Sequence, residues 1–129
     1  MNKLVRTGLQ PVIVAAAMLG AVASAGAAGA IAVGSCDRSG YSYDHGNAAL
    51  ARTRALAECA KNGDRSCRIV VNTRRNCGAF AVDETNRCGA RGWGLAPSRR
   101  RAEVIALAQC ASYGGRNCVV RTWTCDGGP

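Results

Sequence analysis

The chain has little of what bond-making chemistry needs. It holds a single histidine, His45, and only eight acidic residues, Asp37, Asp44, Glu58, Asp64, Asp83, Glu84, Glu103 and Asp126. A nucleophile needs a base within hydrogen-bond reach, and a glycosidase needs two convergent carboxylates. No motif in the sequence supplies either, so no catalytic residue is assigned and the chain is read as a non-enzyme. Cys-x-x-Cys pairs are absent, as is Cys-x-x-Cys-His, which argues against zinc ribbons and haem attachment. No metal or other cofactor is expected. Lysine is scarce as well: beyond position 25, fourteen of the fifteen basic residues are arginine. The apolar run Val12–Val22 is too short to cross a bilayer as a stable helix.

That run belongs instead to an expected export signal. Lys3 and Arg6 give it a positive start, and Ala23-Ser24-Ala25 gives a small-residue cleavage pattern. Cleavage is placed after Ala25, or up to about Ala28, which assigns 1–25 to the leader and leaves 30–126 as one domain. Removing the leader takes two basic residues, so the mature net charge is 15 minus 8, or +7. A secreted or periplasmic location follows, with the membrane met only through the signal segment. A chain of this length buries only a modest core.

What is abundant is cysteine, and it comes in a repeat. Ala55–Cys67 (ALAECAKNGDRSC) returns 51 residues later as Ala106–Cys118 (ALAQCASYGGRNC). Two repeats, 30–78 and 79–126, are expected to fold alike about an approximate two-fold axis. Eight cysteines in a small exported domain point to a disulfide framework, with roughly a hundred pairings open in principle. The repeat makes Cys59 to Cys67 and Cys110 to Cys118 equivalent local bridges. For Cys36, Cys77, Cys88 and Cys125 two symmetric solutions remain. Each half closes on itself (Cys36 to Cys77, Cys88 to Cys125), or equivalents meet across the axis (Cys77 to Cys125, Cys36 to Cys88). The second is preferred because it would staple the halves, each bridge adding about 2 to 4 kcal/mol. Val33-Gly34-Ser35-Cys36 also resembles a lipoprotein cleavage site, but lipidation of Cys36 would leave an odd cysteine.

Within each repeat the pattern reads strand, strand, helix, strand. Ala30–Val33 matches Ala79–Val82, and Gly40–Tyr43 matches Gly92–Leu95. Asn47 and Ser98 are the expected helix caps. Ala51, Ala55, Leu56 and Cys59 line one helical face, and Ala102, Ala106, Leu107 and Cys110 its counterpart. Gly63 and Gly114-Gly115 end the helices, and β segments run from Ile69 and Val119 to Cys77 and Cys125. The expected fold class is α+β: a single disulfide-rich domain with one mostly antiparallel sheet of about six strands and two helices packed on it.

The order AIAV, GYSYD, ALAEC, CRIVV, NCGAFAV, RGWGLAPSRRRAE, ALAQC and NCVVRTWTC resembles the exported bacterial proteins grouped as domain of unknown function 4189. The likeness runs from about Ala30 to Cys125. It implies cysteines common to relatives at Cys59, Cys67, Cys77 and Cys125, with Cys36 and Cys88 added here, a pattern that fits the cross-axis pairing. It implies no activity and no catalytic residue.

Function is then argued from charge and aromatics. Arg99, Arg100, Arg101, Arg74 and Arg75 are the candidate contacts to an anion or partner, since guanidinium forks suit carboxylates and phosphates. Against this, Arg99–Arg101 sit at a helix N-terminus, the electrostatically unfavourable end. Without interleaved aromatics they make a poor nucleic-acid signature, so nucleic acid is not an expected partner. Tyr43-Asp44-His45 is read as a turn ahead of the first helix, with His45 exposed and Asp44 or Asn47 capping. Tyr41, Tyr43, Trp93 and Trp123 are core residues by default; exposed beside arginines they would instead suit protein or glycan recognition. The expected role is a binding or interaction module for an envelope or extracellular protein or an acidic glycopolymer, inhibitor-like or immunity-like in one concrete form. An envelope-acting hydrolase or modifying enzyme is the alternative.

Overall fold

The computed structural model describes residues 27–127 together with Gly8. The leader expected over 1–25 lies, Gly8 apart, outside the described residues. From Ala28 the elements are β1 (Ala28–Val33), β2 (Ser39–His45), α1 (Ala48–Cys59), β3 (Arg68–Arg74), β4 (Cys77–Asp83), β5 (Arg91–Ala96), α2 (Arg99–Ser112) and β6 (Cys118–Cys125). This is an α+β, disulfide-rich fold. No helix among the described residues is long and apolar enough to cross a membrane.

The strands do not form the single sheet of about six that the sequence suggested. They form two antiparallel sheets of three, ordered β2-β1-β3 and β5-β4-β6. The cause is an alternation of side-chain size in the two middle strands. In β1, Ala28, Ala30 and Ala32 pack with Ala51, Ala55 and Cys59 of α1. The intervening Ile31 and Val33 pack with Val71, Phe80 and Val82, reaching the other sheet. β4 repeats the device, with Ala79 and Ala81 against Ala102, Ala106 and Cys110. Successive strand residues face opposite ways, so small residues admit a helix on one side while large ones fill the space between sheets on the other. Two sheets meet at the centre, with a helix on each outer face. Ile31, Val33, Phe80 and Val82 are almost wholly buried, each burial contributing about 1.5 to 3 kcal/mol.

Glycine seats the helices. A Cβ on Gly40 would lie 2.3 Å from both the Ala55 carbonyl oxygen and the Cys59 nitrogen. On Gly92 it would lie 2.2 Å from the Ala106 oxygen and 2.5 Å from the Cys110 nitrogen. Both helices therefore rest backbone-on-backbone against the second strand of their unit. The caps are those expected: the Leu50 N–H donates to Asn47 Oδ1 at 2.9 Å, and the Arg101 N–H to Ser98 Oγ at 3.3 Å. Gly114, with φ of 93°, directly follows the Tyr113 cap of α2, whereas Gly63, with φ of 82°, lies three residues beyond the Ala60 cap of α1.

The disulfides are Cys59–Cys67, Cys110–Cys118, Cys36–Cys88 and Cys77–Cys125. Cys36–Cys88 joins the β1–β2 loop of one unit to the β4–β5 loop of the other, and its bond leaves the Cys36 sulfur with nothing free to lipidate. Cys77–Cys125 plays a different part from the cross-axis staple imagined for it. Cys77 opens β4 and faces Cys125 across the β4–β6 ladder, so this bridge lies inside the second sheet. Its counterpart in the first sheet is the pair Ala28 and Arg74. Cys77 stands ten residues after Cys67 but Cys125 only seven after Cys118, a mismatch in register that the repeat's other cysteines conceal. The first unit accordingly ends with β3 at Arg74, and the second begins at Cys77, two residues before the boundary at 79.

Candidate functional site

Each sheet has two outer strands, and β2 lies over β6 where the sheets meet. Thr124 Oγ1 donates to the Ser42 carbonyl at 2.8 Å, and the hydroxyls of Ser39 and Thr122 bond to each other. In β2 the period of two sends Gly40 and Ser42 toward α1, where Ser42 Oγ donates to the Ala51 carbonyl at 2.6 Å. Tyr41 and Tyr43 point the opposite way, with rings 6.3 Å apart and within 15° of parallel. In β6, Thr122 and Thr124 are buried toward β2, and Trp123 between them is turned outward. The Arg99 guanidinium lies 3.7 Å from the Trp123 ring centre, and Arg99 Nε donates to Glu103 Oε1 at 2.7 Å. Glu103 thus holds Arg99, and Arg99 holds the indole from behind.

The result is a cleft of about 400 Å³ lined by Tyr41, Tyr43 and the run Arg121–Cys125. Tyr41, Tyr43 and Trp123 are 49%, 57% and 41% exposed. Arg121 is tied at 3.1 Å to Asp37, which also takes Arg87 at 3.4 Å. Trp93, which faces Phe80 in β5 as Tyr41 faces Ile31 in β2, is by contrast half-buried against the core between the sheets, with the Arg68 guanidinium 5.5 Å from its ring centre.

On the other flank of the two tyrosines is a second cleft, about 590 Å³, that includes Asp44, His45, Arg54, Glu58 and Lys61. Glu58 pairs with Lys61 at 2.7 Å and with Arg54 at 2.8 Å. The Lys61 hydrogen bond outweighs the opposing effect of burial and, with the Arg54 and Lys61 charges, holds the Glu58 carboxyl below its ordinary range. Glu58 is an ionised, paired group. Tyr43-Asp44-His45 is not a turn but the end of β2, and His45 is half-buried rather than exposed. Asp44 does not cap α1. With φ of 53° it makes a bulge in β2, shifting the register between Ala30–Ser42 and Ala28–His45, and its Oδ1 accepts from the Gly127 N–H at 2.9 Å. Among the described residues no three His, Cys, Asp or Glu side chains converge as metal ligands.

The five arginines singled out by sequence do not form one patch. Arg99 reaches the aromatic cleft, where it lies on the Trp123 ring, is paired with Glu103 and stays half exposed. Arg100 and Arg101 line a shallow depression with Val104 and Ile105. Arg74 borders a different hollow beside Asn47. Arg75, with φ of 56°, makes the turn into β4, its N–H donating to Ala27 O and to the buried Asp126 carboxylate. Arg121 and Asp37 were missed. Their signal is faint: Arg121 is the extra residue at the register shift between Phe80 and Ala81, just ahead of the Thr-Trp-Thr alternation.

Comparison with known proteins adds a family and no precedent for activity. No curated protein and no solved structure matches the chain. One family model does, over residues 28–125, which takes in every strand and both helices described above. The chain therefore belongs to DUF4189, a domain of unknown function.

Proposed function

We propose that this protein is an exported, non-enzymatic binding module of the bacterial periplasm or extracellular space, and that it engages an envelope or extracellular protein, or an acidic glycopolymer, at the aromatic cleft between β2 and β6. One observation carries the reading: Tyr41, Tyr43 and Trp123 stand exposed along a single cleft with an arginine at its mouth and another behind the indole. Large aromatics and arginine dominate binding hot spots, and a grouped set of them on the surface of a small domain marks an interaction site. Arg99 and Glu103 already fix Trp123, so less side-chain freedom is lost on binding. Four disulfides support the exported location, since small disulfide-dense domains belong to oxidising compartments. An inhibitor or immunity-type partner of an envelope-acting protein is one form such a module takes.

The test is capture from envelope extracts by the oxidised mature protein. A stoichiometric partner is expected, with affinity reduced about tenfold or more in Tyr43→Ala and in Trp123→Ala. A partner held equally by both variants rejects the cleft. Turnover of a cell-wall or lipid fraction that depends on His45 or Asp44, with no partner, favours the hydrolase alternative at the second cleft.

A further inference from the structure

We infer that the cleft receives an extended segment of a partner protein as an added strand on the open edge of β6; this deepens the binding reading above and rests on it. β6 is an outer strand of its sheet, and the cleft is floored by consecutive residues, Arg121–Cys125. The opening runs along the strand.

The register tells which backbone groups face it. In an antiparallel ladder, opposed residues alternate between pairs that exchange hydrogen bonds and pairs whose N–H and C=O point away. The Asp126 N–H donates to the Asn76 carbonyl at 3.1 Å, which makes 76 and 126 a bonded pair. Cys77 and Cys125 then form an outward pair, and their Cα separation of 4.1 Å matches the narrow spacing of that class. Gly78 and Thr124 are bonded, and Ala79 and Trp123 are outward again. Trp123 and Cys125 thus present donors and acceptors to the open edge, which is what a guest strand requires.

The two sides of this edge differ in chemistry, and they specify the guest. Toward β2, the Tyr41 and Tyr43 rings overhang the strand and would cover small apolar residues. Toward α2, Trp123 carries Arg99 from a helix start that holds three arginines against one glutamate, Glu103. A guest strand alternates its side chains between these sides. The occupant is therefore an extended segment of alternating apolar and acidic residues. The bulge at Arg121 limits its length, because regular pairing is available only beyond that point.

The probe is a blocked hexapeptide of alternating glutamate and valine, titrated into the oxidised, isotope-labelled full chain and followed by NMR. Saturable shifts at the Trp123 indole and backbone amide are expected, with exchange of the Trp123 amide slowed tenfold or more. The same peptide N-methylated at every residue keeps its side chains but loses its donors, and is expected not to bind. Equal binding of the two peptides, binding without protection of the Trp123 amide, or no binding overturns strand addition. Protection of that amide in the free protein, growing with concentration, would mean that a second copy of the chain occupies the edge, and also overturns it. So would shifts produced by an acidic oligosaccharide but not by the peptide. Capture of a partner through Tyr43 and Trp123 alongside failure of the peptide would leave the binding reading standing and remove only its mode.

Discussion

The two units fill the same positions with different residues, and the differences are of two kinds. Some are exchanges that keep a contact. Asp64, five residues after Cys59, accepts from the Ser35 N–H at 2.8 Å, and Gly34 makes room for it: a Cβ there would lie 2.4 Å from Asp64 Oδ2. In the second unit the carboxylate comes from the other side. Asp83 stands where Gly34 stood and accepts from the Arg116 N–H at 3.2 Å. Gly115, five residues after Cys110, stands where Asp64 stood, because a Cβ there would strike Cys118 Sγ at 2.3 Å. One carboxylate and one glycine serve each junction, with their positions exchanged between the units. Other differences keep nothing. The edge made by β2 and β6 has Tyr41, Tyr43 and Trp123, whereas the corresponding edge of β5 and β3 has Trp93, Leu95 and Asn72, with Trp93 drawn into the core. Exchanges that keep a contact maintain the fold; the divergence at the first edge leaves exposed aromatics without counterparts in the other unit, and that is where binding is proposed.

Substitutions can break this comparison or sharpen it. The largest effect is expected where the units agree most. Gly40→Ala and Gly92→Ala each drive a methyl into helix backbone and should each cost about 3 kcal/mol or more in denaturant unfolding. A large cost in one unit alone would show that the helices are not seated alike. A middling effect is expected where the units differ in how they hold the helix. Gly94→Ser places a Cβ 2.4 Å from the Ala102 oxygen and should cost about 2 kcal/mol, against about 1 kcal/mol for Ser42→Ala, which loses only the hydroxyl bond to Ala51. Equal costs would mean that Ser42 and Gly94 are interchangeable and the distinction is empty.

The smallest effect tests the exchanged carboxylates. The Ser66 hydroxyl, then the Ser35 and Ser66 N–H groups, hold the Asp64 carboxyl well below the ordinary value of 3.8. The Thr85 hydroxyl, then the Thr85 and Arg116 N–H groups, lower that of Asp83. A carboxyl lowered in the folded state binds its proton more readily when unfolded. Its stabilisation is present above the unfolded value and fades as pH falls through the folded one. Unfolding midpoints should therefore begin to drop as pH falls below about 5 and go on dropping well below the ordinary carboxylate value, and Asp64→Asn and Asp83→Asn should each flatten part of that drop. If only one of them does so, the exchange is not an equivalence.

Much of the fold was legible because helix signals are local. Asn47 and Ser98 capped as their spacing required, and the buried faces Ala51-Ala55-Cys59 and Ala102-Ala106-Cys110 followed from a period near four. The division into two sheets was written in AIAV and AFAV, but as an alternation of size among apolar residues rather than of polarity, so both runs read simply as hydrophobic. The candidate site was half legible. Tyr41, Tyr43, Trp123 and Arg99 stood out by type, but their meeting depends on β2 lying over β6, a contact between residues some 80 positions apart. Asp44 and Arg121 gave least warning, since each acts through a bulge, and a bulge depends on the partner strand.

The disulfide between the two loops has a further consequence when it is set beside the one inside the second sheet. Cys36–Cys88 closes a covalent ring over residues 36–88, and Cys77–Cys125 closes another over 77–125. The rings overlap. A protease that cuts any one peptide bond between Cys36 and Cys125 therefore releases no fragment, and the nicked chain remains a single molecule until it meets a reductant. In the exported setting proposed above, where peptidases are common and thiols scarce, damage at one bond need not mean loss of the molecule.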